Sequence, residues 1–139
     1  MADESRIDAE VMESHAKELL ESPMLERRIP GVDLSDPWSP SSLQNIESTY
    51  LRDAPSSETR NIDYESFIGH GLVTHFLGRW VDVEGFRLDG EDTGPAVGIK
   101  YPYLEHIDIM NSLITVSRFT KTGNYWTNLF ESNRKLLHQ

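Results

Sequence analysis

The spacing of hydrophobic residues changes near residue 61, and this change limits the possible folds more than any other feature of the sequence. Before it, apolar residues recur every three or four positions, which is the period of one helix face. After it, β-branched and aromatic residues are frequent and tend toward the alternating period of strands. Helices that precede strands indicate an α+β domain. We therefore predict N-terminal helices packed on a curved antiparallel β-sheet.

The first predicted helix runs from Ser5 to Glu21, where apolar residues share one face. Ser5 and Asp8 form a plausible though non-ideal capping box, and Pro23 ends the helix. Ser22 and Pro23 also suit the start of a short second turn through Met24, Leu25 and Glu26. The pattern predicts either a bend or two helices at this point.

The next stretch, Ile29 to Pro40, contains three prolines and a glycine, so we predict no regular element there. Ser39 and Pro40 then begin a predicted helix that reaches about Arg52. Residues 53–61 contain few side chains whose burial could offset the entropy of ordering, and we predict a mobile linker or loop.

The rear part contains four predicted strands, which are Leu72–Leu77, Trp80–Leu88, Ala96–Tyr103 and Ile107–Phe119. The links between them are too short for parallel crossovers, so the sheet is predicted to be antiparallel. Residues 125–137 fit a closing helix or an extension of the last hairpin, and the pattern does not separate the two. We predict one domain over residues 1–139, with an acidic, helical and Pro-rich front segment (1–61) and a β-rich core (62–139).

The negative charge is concentrated at the front of the chain. The formal net charge is −10; residues 1–69 carry 15 acids and 6 bases, whereas residues 70–139 carry 8 acids and 7 bases. Such a surface repels phosphate backbones and attracts basic partners, so direct nucleic-acid binding is not expected. The charge also has a simpler interpretation, in which it only keeps the protein soluble.

The absence of cysteine excludes disulfides, thiolate zinc sites and cysteine nucleophiles. The first residues lack the basic start and apolar core of a secretion signal, and no apolar run approaches the length of a membrane span. We therefore expect a cytoplasmic location, or a virion location if the protein is viral, with no membrane association.

Histidine and carboxylate residues are the candidates for catalysis or metal binding. His106 and Asp108 are two residues apart and share a face of a strand. With His75 they would supply the ligand types of an open iron or zinc site, but no local spacing fixes their meeting, so we predict no metal and no cofactor. If the sheet encloses a pocket, its candidate residues are Trp80, His75, Tyr103, His106 and Asp108.

Two other motifs do not support catalysis. The loop from Asp89 to Gly94 superficially resembles a calcium loop, but the twelfth position is Lys100 instead of a glutamate, so we predict an acidic hairpin turn. Nucleophile-elbow and Walker-type motifs are absent from the sequence. We predict no catalytic residues in the preferred interpretation.

Trp38 and the first helix are the candidate contacts with another protein. Trp38 has no periodic neighbours, so it either packs back onto its own domain or anchors a partner chain. The apolar stripe of the helix has the same two alternatives. The predicted partner-binding residues are Ile7, Val11, Leu19 and Trp38.

The preferred hypothesis is a non-enzymatic interaction or assembly subunit, or an inhibitor, that docks through its acidic front half. Viral or phage assembly proteins and immunity proteins are classes that would be compatible with an acidic docking surface and no catalytic motif. The expected partner is a protein with a basic surface, or a second copy of this chain. The alternatives are a small cup-shaped enzyme or ligand-binding protein that uses the candidate pocket, and an acidic mimic of nucleic acid.

Overall fold

The computed structural model describes residues 8–52, 62–83, 87–88, 91–92 and 96–138. The helices of this part are α1 (Ala9–Glu21), α2 (Leu25–Arg28), α3 (Pro40–Arg52), α4 (Ile62–Phe76), α5 (Met110–Thr120) and α6 (Tyr125–Leu137). The strands are β1 (Arg79–Val83), β2 (Arg87–Leu88), β3 (Glu91–Asp92), β4 (Ala96–Lys100) and β5 (Ile107–Ile109). The predicted α+β class is confirmed.

The main sheet is open and antiparallel, with β4 between β1 and β5. Trp80 of β1 is opposite Ile99 of β4, and Ile99 is opposite Asp108 of β5. The short strands β2 and β3 form a separate antiparallel pair. Helices α1, α4 and α5 contact the main sheet, which confirms the predicted packing of N-terminal helices on it.

The helix α4 lies at the centre of the domain, where α1, α5, α6, β1 and β4 all contact it. Five consecutive residues, 65 to 69, are buried. The prediction of a strand over Leu72–Leu77 is therefore wrong. A helix that packs against neighbours on several sides has no wide polar face, so its sequence shows no clear helical period by which to recognise it.

The predicted strand over Ile107–Phe119 is also largely wrong, because only β5 is extended and the rest forms α5. Buried residues follow the helical spacing at Met110, Leu113, Ile114 and Ser117. The β-branched residues of this stretch favoured a strand, but the spacing of its apolar residues was the better signal. The described residues of the rear part thus form three helices around the sheet, and this part is less β-rich than predicted.

The helices at both ends of the chain agree with the sequence patterns. The helix α1 ends at Glu21 and the short α2 follows, as predicted for two helices. The Ser39 side chain caps α3 by accepting the Ser42 N–H at 3.1 Å. Residues 125–137 form α6, which decides between the two alternatives for the C-terminal end in favour of a helix.

Some predictions fall outside the described residues. These are the contact residue Ile7 and the loop over residues 53–61. Ser5 also lies outside them, but Asp8 is extended and caps α1 by accepting the Val11 N–H, so the helix begins at Ala9 and the predicted start at Ser5 is wrong. Of the acidic turn Asp89–Gly94, only Glu91–Asp92 is described, as the strand β3.

Candidate functional site

The two faces of α1 have different environments. Met12, Ala16 and Leu19 are completely buried against the domain, whereas Val11 is 41% exposed. The apolar stripe of α1 therefore packs on its own domain, which was one of its two alternatives. This corrects the prediction for Leu19, because its side chain has no exposed surface with which to contact a partner.

The outward surface of the front half is rich in carboxylates. The acids that are exposed on α1, on α2 and in the following loop are Glu10, Glu13, Glu18, Glu21, Glu26, Asp33 and Asp36. We call these residues the acidic front surface. The apolar side chains of Val11, Met24 and Leu34 are exposed in the same part of the chain. The surface therefore combines negative charge with separate apolar contacts.

The side chain of Arg28 connects the front half to the central helix. Its guanidinium donates to both oxygens of Asp63 in α4, at 2.9 and 3.2 Å, and to both oxygens of Glu18, at 2.8 and 2.9 Å. His15 lies 2.6 Å from the same Asp63 carboxylate. Burial acts to raise the pKa of Asp63, but the hydrogen bonds from Arg28 and His15 outweigh it and hold the pKa below its usual value.

Trp38 packs on its own domain. Its indole N–H donates to the Phe67 carbonyl oxygen at 3.0 Å, and its ring lies 5.1 Å from the Phe67 ring. The rings of His70 and His75 lie 5.7 and 5.6 Å away. Gly71 leaves space for the indole, since a Cβ there would lie 2.4 Å from it. These contacts favour the first of the two alternatives for Trp38 and leave its indole only partly exposed.

Asp108 is the centre of a hydrogen-bonded cluster beside the sheet. Its carboxylate is 9% exposed, accepts the Tyr101 hydroxyl at 2.7 Å, and lies 2.9 Å from Nε2 of His106. Tyr103 lies beside Tyr101, with 5.4 Å between ring centroids, and donates to Asn133 of α6 at 3.0 Å. We call these five residues the Asp108 cluster. Three of the five predicted pocket residues belong to it.

The cluster changes the acidity of its two tyrosines. Burial and the nearby negative charge of Asp108 raise the pKa of Tyr101 well above its usual value. The same two causes raise the pKa of Tyr103 to about 12. Both hydroxyls are therefore hydrogen-bond donors at neutral pH. The His106 ring is exposed, and one of its nitrogens lies within hydrogen-bond distance of the Asp108 carboxylate.

The other two predicted pocket residues, Trp80 and His75, belong to different contacts. The Trp80 ring covers Gly69 of α4, where a Cβ would lie 2.1 Å from it. His75 is exposed and lies against Trp38. No three His, Asp or Glu residues in the described parts of the chain form a group that could hold a metal ion. The hypothetical site of His75, His106 and Asp108 is therefore not assembled.

The sequence interpretation missed two members of the cluster. Tyr101 lies in the predicted strand Ala96–Tyr103 and Asn133 in the closing helix that was one alternative for residues 125–137, and neither was among the candidate pocket residues. The spacing of two between Tyr101 and Tyr103 was a usable signal, since alternate residues of a predicted strand share one face. No sequence signal connected Asn133 to residues 30 positions away.

The sequence matches no protein-family model, and neither the curated proteins nor the solved structures give a significant match. Among the described residues, no helix has the length and apolar character that would be needed to cross a bilayer.

Proposed function

We propose that this protein is a non-enzymatic interaction subunit that binds a partner with a basic surface through its acidic front surface. The observation that carries the proposal is the exposure of seven carboxylates on α1, α2 and the following loop. Opposite charges on two surfaces accelerate association and select the orientation of docking. Val11, Met24 and Leu34 add exposed apolar contacts within this surface.

The rigidity of the acidic front surface supports the same proposal. Arg28 joins α1 and α2 to Asp63 of α4, and Trp38 holds the loop before α3 against the same helix. A surface that is ordered before binding loses less conformational entropy on association. The front half therefore presents its charges from a fixed support.

The proposal is tested with two matched double variants. Glu13→Gln with Glu21→Gln removes two charges from α1, and Glu105→Gln with Glu131→Gln removes two exposed or partly exposed charges from the rear half. Glu13 and Glu131 each pair with a base on their own helix, so the variants also lose similar local contacts. Proteins captured from native lysate are identified, and their affinities are measured against ionic strength.

The expected partner is basic, and its affinity falls steeply as salt rises. The α1 variant should lower the affinity roughly tenfold, because each rim charge contributes about 0.2–1 kcal/mol. The rear variant should bind as the unmodified protein does. Binding that is insensitive to salt, or equal losses in both variants, would contradict the proposal.

A second candidate function is a small enzyme or ligand-binding protein that uses the Asp108 cluster. It is favoured by the nearly buried carboxylate of Asp108, which contacts both Tyr101 and His106. A ligand-observed NMR screen of small polar compounds tests it, with Asp108→Asn as the variant and Asp82→Asn on the exposed side of β1 as the control. Specific ligands that lose affinity only in Asp108→Asn would support this function. Identical hit sets for all three proteins would exclude it.

A further inference from the structure

The carboxylate of Asp108 has an unusual set of partners for its depth. Asp108 is only 9% exposed, and its contacts are the Tyr101 hydroxyl at 2.7 Å and Nε2 of His106 at 2.9 Å. Among the described residues, none of the lysines and arginines forms an ion pair with it. Carboxylates that are buried this far are usually paired with a cation. The charge of Asp108 is therefore open to a cation from outside the chain.

Aromatic rings lie within the field of this carboxylate. Burial, and after it the charge of Asp108, raises the pKa of each of three tyrosines, which are Tyr101, Tyr103 and Tyr125. The charge of Glu47 acts on Tyr125 in the same direction. The faces of tyrosine rings also attract positive charge. The electrostatic field at the Asp108 cluster therefore favours a positive ligand.

We infer that the Asp108 cluster binds a small organic ammonium ion, whose charged group takes the place of the His106 imidazole beside the carboxylate. The inference concerns a different surface from the acidic front surface. It rests on the second candidate function, ligand binding at this cluster, and names the chemical class of the ligand.

His106 is the side chain through which the site opens. It is 62% exposed, whereas the side chain of Asp108 is 10% exposed. The imidazole contacts Oδ1 of the carboxylate, so its rotation frees that oxygen while Oδ2 keeps the Tyr101 hydroxyl. Exposed side chains change rotamer rapidly. A single freed oxygen suits a compact ammonium group, whereas a guanidinium uses both carboxylate oxygens for its paired hydrogen bonds.

The rest of the cluster is fixed before a ligand arrives. The hydroxyl of Tyr103 donates to Asn133 of α6 at 3.0 Å, and its ring lies 5.4 Å from that of Tyr101. Asn133 is 2% exposed, and its side-chain nitrogen donates to the Leu129 carbonyl oxygen within α6. Side chains that are already held in place lose little entropy on binding. The displacement of His106 is therefore the main rearrangement that the ligand requires.

The test is an NMR titration of the backbone amides with butylammonium at about pH 8, where an ordinary histidine is uncharged. Butanol and butyrate are the neutral and anionic ligands of the same chain length, and sodium chloride holds the ionic strength constant. Saturable shifts at residues 101–108 and 133 are expected with butylammonium alone. Asp108→Asn should weaken binding about tenfold, because it removes a charged hydrogen bond. Glu105→Gln, an exposed acid beside the cluster, is the matched control and should leave the affinity nearly unchanged.

His106→Ala separates displacement of the imidazole from a merely structural role. It should strengthen the binding of butylammonium about threefold, because the ligand no longer competes with a hydrogen bond to the carboxylate. His75→Ala, at an exposed histidine of α4, should leave the affinity unchanged. His106 is on the surface, so its variant tests the site without disturbing the buried groups, and circular dichroism checks that all variants fold.

Three results would overturn the inference. One is the absence of saturable shifts with butylammonium, and another is an equal loss of affinity in Asp108→Asn and Glu105→Gln, since the attraction would then come from general charge. The third is binding of butanol or butyrate as tight as that of butylammonium, which would leave ligand binding by the cluster standing. The second candidate function itself fails only if its own screen finds no ligand that depends on Asp108.

Discussion

The side chain of Glu47 and the backbone of Trp126 are hydrogen-bonded across 79 residues of sequence. One carboxylate oxygen of Glu47, which is completely buried in α3, accepts the Trp126 N–H at 2.8 Å. The other accepts the Ser117 hydroxyl of α5 at 2.6 Å. Trp126 lies in the first turn of α6, where backbone N–H groups lack partners within the helix. Asn124 makes no side-chain cap, so Glu47 caps α6 from a distant helix.

Glu47→Ala should lower the free energy of unfolding by about 3 kcal/mol, because it leaves two buried donors without an acceptor. Glu47→Gln should cost only about 1 kcal/mol, since the amide oxygen still accepts the Trp126 N–H and Ser117 can accept from the amide nitrogen. Urea denaturation measures both values, and Gln44→Ala on the exposed side of α3 is the control. Equal stabilities for Glu47→Ala and the unmodified protein would contradict this role.

Asp63 gives the stability a defined dependence on pH. Its pKa in the folded state is below the usual 3.8, because the hydrogen bonds from Arg28 and His15 outweigh the effect of burial. Its ionised form therefore stabilises the fold above about pH 4, and this contribution is lost as the pH falls through the lowered pKa. Asp63→Asn should reduce the free energy of unfolding at pH 7 by about 1–2 kcal/mol. On acidification, the free energy of unfolding should fall less in this variant than in the unmodified protein, because the variant has no Asp63 carboxylate to protonate.

Denaturation curves between neutral and strongly acidic pH measure the difference between Asp63→Asn and the unmodified protein. That difference should be constant above the unfolded pKa and shrink below it. Asp36→Asn, an exposed acid in the loop before α3, should leave the curve nearly unchanged. A stability difference that grows on acidification would contradict the prediction that ionised Asp63 stabilises the fold.

Trp38 is expected to affect stability more than partner binding. Trp38→Phe loses the hydrogen bond to the Phe67 carbonyl and should cost about 1 kcal/mol, whereas Trp38→Ala also loses the ring contacts and should cost about 3 kcal/mol. Leu34→Ala, in the same loop and 55% exposed, should cost less than about 0.5 kcal/mol. Urea denaturation measures the three values. A stable Trp38→Ala that no longer binds its partner would instead identify Trp38 as an anchor.

Leu77 follows α4 with a positive φ of 61° and is 62% exposed. Leu77→Gly should raise the free energy of unfolding by about 0.5 kcal/mol, because relief of the left-handed strain exceeds the entropy lost by glycine. Leu34→Gly is the matched control at another exposed leucine, which has no positive φ. It should lower stability, because glycine increases the backbone entropy of the unfolded chain and no strain is relieved. Thermal denaturation measures the stability of both variants, and a destabilised Leu77→Gly would contradict the prediction that relief of backbone strain at Leu77 stabilises the protein.

The sequence was informative where an element has one face in water. The helices α1 and α3 each show an apolar stripe, and Ser39 marks the start of α3, so both were predicted close to their observed bounds. The central helix α4 shows no such stripe and was partly mistaken for a strand. In α5 the β-branched residues concealed a helical spacing, because propensity and period indicated different structures.

The candidate sites were harder to predict because they depend on contacts between distant residues. The spacing of two brought His106 and Asp108 together as a candidate pair, and their side chains do meet. The contact of Asp108 with Tyr101 and that of Tyr103 with Asn133 depend on the fold. Glu47 looks like any surface acid of an amphipathic helix, although it is buried.

The central position of α4 has a consequence for synthesis of the chain. Its residues contact α1, which is translated before α4. They also contact α6, which is translated after it, where Phe130 lies against Phe76 of α4. The hydrophobic surroundings of α4 are therefore complete only after α6 has been translated. Until then the apolar residues of α4 lack part of their packing partners, and incompletely folded chains that expose such surface are prone to aggregate.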